Sequence, residues 1–149
     1  SISPWYRQDE GTVVFEGIMT DATISRGIYV FSDGTNDNRA FTVILAGGAT
    51  SDTWLRTAGS FEWTSAPLTM PALSSVFRHG YGYKVNSLAA VVNAGTVATD
   101  STAAMATITQ LRFAAITPSG SSPFMGYARR FQYYNTRLTN SQIQGLSRV

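Results

Sequence analysis

Apolar side chains in this chain recur at every second position, in short runs broken by Gly, Asn, Asp, Ser and Pro. Alternation of this kind marks half-buried β-strands, and breakers at close intervals mark the turns of a sandwich or barrel. The pattern predicts strands over residues 12–20, 27–32, 38–46, 60–64, 76–85, 87–93, 96–98, 107–116 and 124–134. Within 38–46, Phe41, Val43 and Leu45 fall on one face and Ala40, Thr42 and Ile44 on the other. Leu111, Phe113 and Ala115 are expected to alternate against Gln110 and Arg112, and Tyr127, Phe131 and Tyr133 to share a face. Residues 33–38 read as a turn, and 66–71, 100–104 and 117–123 as loops.

One helix is predicted, over residues 139–147. Thr139 stands three positions before Gln142, the spacing of a capping box, and Ile143 and Leu146 supply a small apolar face. Many strands followed by one late helix give an all-β fold, an antiparallel β-sandwich with a short C-terminal helix. Residues 1–149 read as one domain, and the opening Ser1-Ile2-Ser3-Pro4, without Met or a basic leader, reads as a cut within a longer chain.

Composition narrows the chemistry. The 149 residues carry only 13% charged side chains and a formal net charge of +2, with ten Arg scattered along the chain against the single Lys84. Nucleic-acid footprints need clustered cations, so no nucleic-acid partner is expected. There is no Cys, which removes disulfides, thiolate nucleophiles and Cys-ligated zinc. No apolar run approaches the roughly 20 residues of a helical membrane span, so no insertion is expected.

Catalytic constellations are sparse. Glu10, Glu16 and Glu62 are the only glutamates, and Asp9 and Glu10 are neighbours whose side chains point to opposite faces of a strand. His79 is the only histidine, and no nucleophile-elbow motif accompanies it. The expectation is a binding protein, not an enzyme, with no catalytic residue and no cofactor. Asp33, Asp37 and Asn38 form a weak candidate calcium loop, since Ca²⁺ favours carboxylate and amide oxygens.

Two segments carry a resemblance. Trp5-Tyr6-Arg7-Gln8-Asp9-Glu10-Gly11-Thr12-Val13-Val14-Phe15-Glu16 opens the chain, and residues 126–146, from Gly126-Tyr127-Ala128-Arg129-Arg130-Phe131-Gln132-Tyr133-Tyr134 to Arg137-Leu138-Thr139 and Gln142-Ile143, close it. Together they resemble the concanavalin A-like, laminin-G-like jelly-roll domains of bacteriophage tail fibres, tailspikes and other surface proteins. The closing motif is also explained by the fold alone, with Arg129 or Arg130 pairing with Glu16 if the first and last strands are neighbours.

The resemblance implies a receptor-binding domain in the virion tail, extracellular, attaching to a host surface glycan and assembled as a homotrimer. The alternatives are a structural trimerisation or capping domain and an accessory domain of a polysaccharide depolymerase. Lectin sites stack an aromatic ring on a pyranose and read its hydroxyls with polar neighbours. On that logic Trp54 with Arg56, Trp63 beside Glu62, and the Arg78, His79, Tyr81 and Tyr83 cluster are the candidate carbohydrate-binding residues. The run Leu88-Ala89-Ala90-Val91-Val92, apolar on both faces, reads as core or as a trimer seam.

Overall fold

The computed structural model describes residues 4–149. Ser1, Ile2 and Ser3, on which part of the reading of the chain's start rests, lie outside the described residues. Eleven strands precede one helix: β1 (Glu10–Met19), β2 (Arg26–Ser32), β3 (Arg39–Ile44), β4 (Thr50–Thr57), β5 (Ser60–Thr64), β6 (Leu68–Thr69), β7 (Val76–Lys84), β8 (Leu88–Val92), β9 (Ala98–Asp100), β10 (Gln110–Phe113), β11 (Gly126–Tyr134) and α1 (Asn140–Leu146). They form two antiparallel sheets, ordered β11-β1-β7-β8-β9 and β10-β2-β3-β4-β5, with β6 pairing on β4. This is the expected β-sandwich jelly roll with one short C-terminal helix.

The inner faces meet in an aromatic core of Phe15, Tyr29, Phe31, Phe77, Tyr81 and Tyr83 with Val13, Ile44, Leu55 and Leu88. Each such side chain contributes roughly 1.5–3 kcal/mol by leaving water. First and last strands do pair, and Glu16 lies opposite both Arg130 on β11 and Arg78 on β7. The Glu16 carboxylate forms ion pairs with Arg78 and with Arg129 at 3.4 Å.

The outer face of the first sheet is covered by α1. Ile143 packs with Ala89 and Val91, and Thr139 and Gln142 complete the capping box. The two-sided apolarity of β8 is therefore satisfied within this chain, which removes it as a sign of a trimer seam.

Four strand expectations are corrected. Thr50–Thr57 was not predicted, because its inward positions Ser51 and Thr53 are polar and conceal the alternation; Leu68–Thr69 falls inside an expected loop. The strand expected over 107–116 shortens to Gln110–Phe113, because Ala114 takes a left-handed φ of 56° and turns Ala115 to the opposite surface. A register shift in β11 opposite Glu16/Gly17 puts Tyr127 outside, 67% exposed, while Phe131 and Tyr133 pack inward.

Candidate functional site

The outer face of the second sheet is covered in part by Ala115 and Ile116, which pack with Val30, Phe41 and Val43, and it stays open at Trp54 and Phe61, apolar where a solvated sheet face would be polar. Its character follows from strand alternation. In β3 the outward positions are Arg39, Phe41 and Val43, and in β4 they are Asp52, Trp54 and Arg56. The β4–β5 hairpin turns through Ala58 and Gly59, both at positive φ, as two-residue hairpins require. A bulge between Leu55 and Arg56 then places Phe61 opposite Arg56 and Trp63 opposite Leu55. That extra residue separates two rings that simple alternation would set on one face. Trp63 is 7% exposed in the core, whereas Phe61 is 54% exposed on the outer surface.

The result is a groove of about 330 Å³ lined by Ser25, Arg39, Phe41, Val43, Trp54 and Phe61, with Leu45 and Ile116 at its margin. Trp54 sits between Phe41, at 5.5 Å and 35°, and Phe61, at 4.9 Å and 72° between ring centres and planes. Arg39 lies 4.5 Å over the Phe41 ring and Arg56 4.8 Å over Phe61, both within cation–π range. Nη1 of Arg39 donates to Asn36 Oδ1 at 2.9 Å and to the Ile116 carbonyl at 2.8 Å, and Arg56 donates to the Gly59 carbonyl.

Several polar atoms of this face have no hydrogen-bond partner among the described residues: Arg39 Nε, Arg56 Nε, Trp54 Nε1 and Asp52 Oδ1. Burial pushes the Asp52 carboxyl up from its ordinary value, and the adjacent Trp54 indole pulls the other way without reaching hydrogen-bonding geometry. Burial, and then the charge of Arg56, lowers the hold of Arg39 on its proton. A surface with an exposed aromatic face and fixed guanidiniums can stack a ring and bind its substituents.

The structure divides the candidates read from sequence. Trp54 and Arg56 lie together on this face. Trp63, His79, Tyr81 and Tyr83 are buried between the sheets, where no ring face is open to a sugar. His79 bridges both sheets instead, with Nδ1 3.0 Å from Tyr29 Oη and Nε2 2.8 Å from Thr53 Oγ1. Burial pushes its pKa down to about 3, so the ring is neutral. Tyr83 Oη donates to the Arg7 carbonyl at 2.8 Å and lies 3.0 Å from Tyr133 Oη. Arg78 is occupied by Glu16 and by the Arg148 carbonyl. This cluster is framework: aromatics on an inward face, alternating with Gly80 and Gly82 beneath α1.

Of the oxygens expected for calcium, those of Asp33 and Asn38 accept hydrogen bonds within the turn. Asp33 accepts from Thr35 N, Thr35 Oγ1 and Asn38 Nδ2, and Asn38 Oδ1 accepts from Ala58 N. Asp37 stands beside Gly59. Among the described residues no three His, Cys, Asp or Glu side chains converge as a metal site. The turn uses these residues for its own geometry.

Sequence reasoning missed Arg39, Phe41 and Phe61 as site residues. Phe41 and Arg39 were readable as sharing a face, since they are two positions apart. Their meeting with Phe61 depends on the bulge, which leaves no mark in the residue pattern.

No protein-family model matches the chain, and no curated protein matches it in sequence. Solved structures do match. The CBM40 of a Ruminococcus gnavus IT-sialidase, bound to α2,3-sialyllactose, superposes with a TM-score of 0.79 at 18% identity, over 95% of this chain and 84% of that one. Domain 4 of AbnA, a GH43 extracellular arabinanase from Geobacillus stearothermophilus in complex with arabinotriose, gives 0.71 at 11% identity, over 94% and 67%. The LG4-5 domains of the mouse laminin α1 chain give 0.66 at 12% identity, over 84% and 35%. At these identities the likeness establishes the fold: the chain is a concanavalin A-like jelly roll, the architecture it shares with these three structures.

Proposed function

We propose that this chain is a carbohydrate-binding domain and that its glycan seats on the outer face of the second sheet, over Trp54 and Phe61, beside the buried Phe41. The observation that carries the reading is the open aromatic groove itself. Phe61, 54% exposed, and the partly exposed Trp54 leave aromatic surface in water at a cost in stability that polar residues would have avoided. Two neighbours of the same fold are described with bound sugars, sialyllactose and arabinotriose, which supports the reading. Binding, not catalysis, is the activity that fits. Glu16 is held by two arginines, and Glu10 accepts from the Arg137 backbone N–H at 3.0 Å, so neither is poised as an acid–base pair.

The finer proposal rests on the closing motif. It places the domain extracellularly in a bacteriophage tail fibre or tailspike, as a homotrimer contacting host surface polysaccharide. Light scattering on the chain gives a trimer mass if assembly resides in this domain and a monomer mass if it does not.

The three tryptophan indole N–H signals provide the direct test of the groove. In ¹H–¹⁵N spectra recorded during titration with a glycan mixture, the Trp54 signal is expected to shift. The Trp63 signal, buried in the core, and the Trp5 signal, on another surface, should stay. Shifts at Trp5 alone, or none at all, would refute the placement.

A further inference from the structure

We infer that the groove takes an anionic glycan, one carrying a carboxylate or sulfate, and that the paired guanidiniums of Arg39 and Arg56 recognise that charge. The inference rests on the carbohydrate reading and names its ligand class.

The first observation is register. Arg39 and Arg56 are direct cross-strand partners between β3 and β4, on the same outer face. Like charges opposite each other in an antiparallel pair repel, so the arrangement weakens the sheet unless something neutralises it. Four of the other arginines have carboxylate partners: Arg7 pairs with Asp9, Arg26 with Asp21, and Arg78 and Arg129 with Glu16, while Arg112, Arg130, Arg137 and Arg148 have none among the described residues. Neither Arg39 nor Arg56 has an ion pair among the described residues. The two acidic groups nearby do not serve. Asp37 acts on Arg39 from the turn without pairing, and Asp52 stands opposite Val43, further along the strand.

Burial is the second observation. Arg39 is only 9% exposed, its Nε has no partner, and it lines the groove together with Trp54. An almost buried cation without a counter-ion is costly, and an anion entering the groove relieves that cost. The third is rigidity. Asn36, the Ile116 carbonyl and the Phe41 ring fix the guanidinium of Arg39, and the Gly59 carbonyl and the Phe61 ring fix that of Arg56. Held in this way, the guanidiniums leave Arg39 Nη2 and Arg56 Nη1 without a partner among the described residues, as donors for a carboxylate or sulfate, and little entropy is lost on binding. The ring bearing the acid would lie on the Trp54–Phe61 aromatic surface.

Calorimetric titration of the whole 149-residue chain tests this with five probes: 3′-sialyllactose, trigalacturonate, lactose 3′-sulfate, and neutral lactose and arabinotriose. At least one acidic probe is expected to bind tenfold or more tightly than either neutral sugar, and to weaken as salt rises. Which acidic probe binds identifies carboxylate or sulfate as the charge read. Arg56 is partly buried, and Arg56→Gln removes the like-charge repulsion, so the variant should fold with a melting temperature no lower than that of the wild type, yet lose that preference tenfold or more. Arg39→Lys keeps the charge without the fork and should weaken the acidic probe as well.

Equal affinity for neutral and acidic probes, or an acidic preference that survives Arg56→Gln, would overturn the inference. Binding of a neutral sugar that is lost in Trp54→Ala would end it while leaving the carbohydrate reading intact. Binding of no probe would count against both.

Discussion

His79 illustrates how burial decides what a residue does. Its neighbours in sequence, Arg78, Tyr81 and Tyr83, looked like a polar-aromatic binding cluster, yet each side chain is spent on the core, an ion pair or a strand anchor. The neutral ring has a consequence for stability. Its folded pKa, about 3, lies below the ordinary value of 6.5, so the unfolded chain binds the proton first as pH falls. Stability present above pH 6.5 is therefore lost on acidification towards pH 3, at up to about 1.4 kcal/mol per pH unit. Glu16 and Asp33 have lowered pKa values, held down by Arg78 and Thr35 respectively, and cost stability in the same direction only at lower pH, near the ordinary carboxylate range. Asp52 acts with the opposite sign, because protonation relieves its buried carboxylate. Urea unfolding of the wild type and of His79→Gln between pH 7 and pH 5 separates these effects. The wild type should lose stability with falling pH more steeply than the variant, and parallel profiles would contradict the assignment.

The elements show why some of the structure was legible and some was not. The helix was readable because its signals are local: the Thr139 and Gln142 capping box and the Ile143 face lie within a few residues. β4 was not, because polar Ser51 and Thr53 occupy inward positions; partners from elsewhere satisfy Thr53, while Ser51 Oγ is buried without one among the described residues. Ser65 Oγ accepts from Thr53 N at 2.9 Å, and Thr53 Oγ1 reaches Thr42 and His79. Bulges in β5 and β11 reverse which rings face the core, and no residue type announces them. The contact between β7 and α1 provides a quantitative check. A Cβ on Gly80 would stand 2.5 Å from Ile143 Cγ2, so Gly80→Ala should lift the helix, while Ile143→Ala should cost roughly 2–5 kcal/mol through the cavity it leaves. In the double variant the new methyl enters vacated space, so the combined loss should fall short of the sum by about 0.5–3 kcal/mol in urea unfolding. Strictly additive losses would mean that α1 does not rest on Gly80.

For the molecule as a whole, strand rhythm was enough to establish a two-sheet sandwich, but not to identify the binding face. That choice depends on where the chain spends its one helix. α1 covers the first sheet's outer face over Gly80, Gly82, Ala89 and Val91, whereas on the second sheet Ala115 and Ile116 cover Phe41 and leave Phe61 exposed and Trp54 partly so. Of the candidates read from the sequence, Trp54 and Arg56 lie on the second sheet's outer face, while Arg39, Phe41 and Phe61 join them only through sheet register. The most direct test of the central claim is a glycan-array comparison of the wild-type chain with Trp54→Ala, with melting temperatures recorded for both. The expected result is binding to a restricted set of glycans by the wild type and its loss in a variant that still melts cooperatively. Undiminished binding by Trp54→Ala would contradict the claim and place any sugar site elsewhere on the molecule.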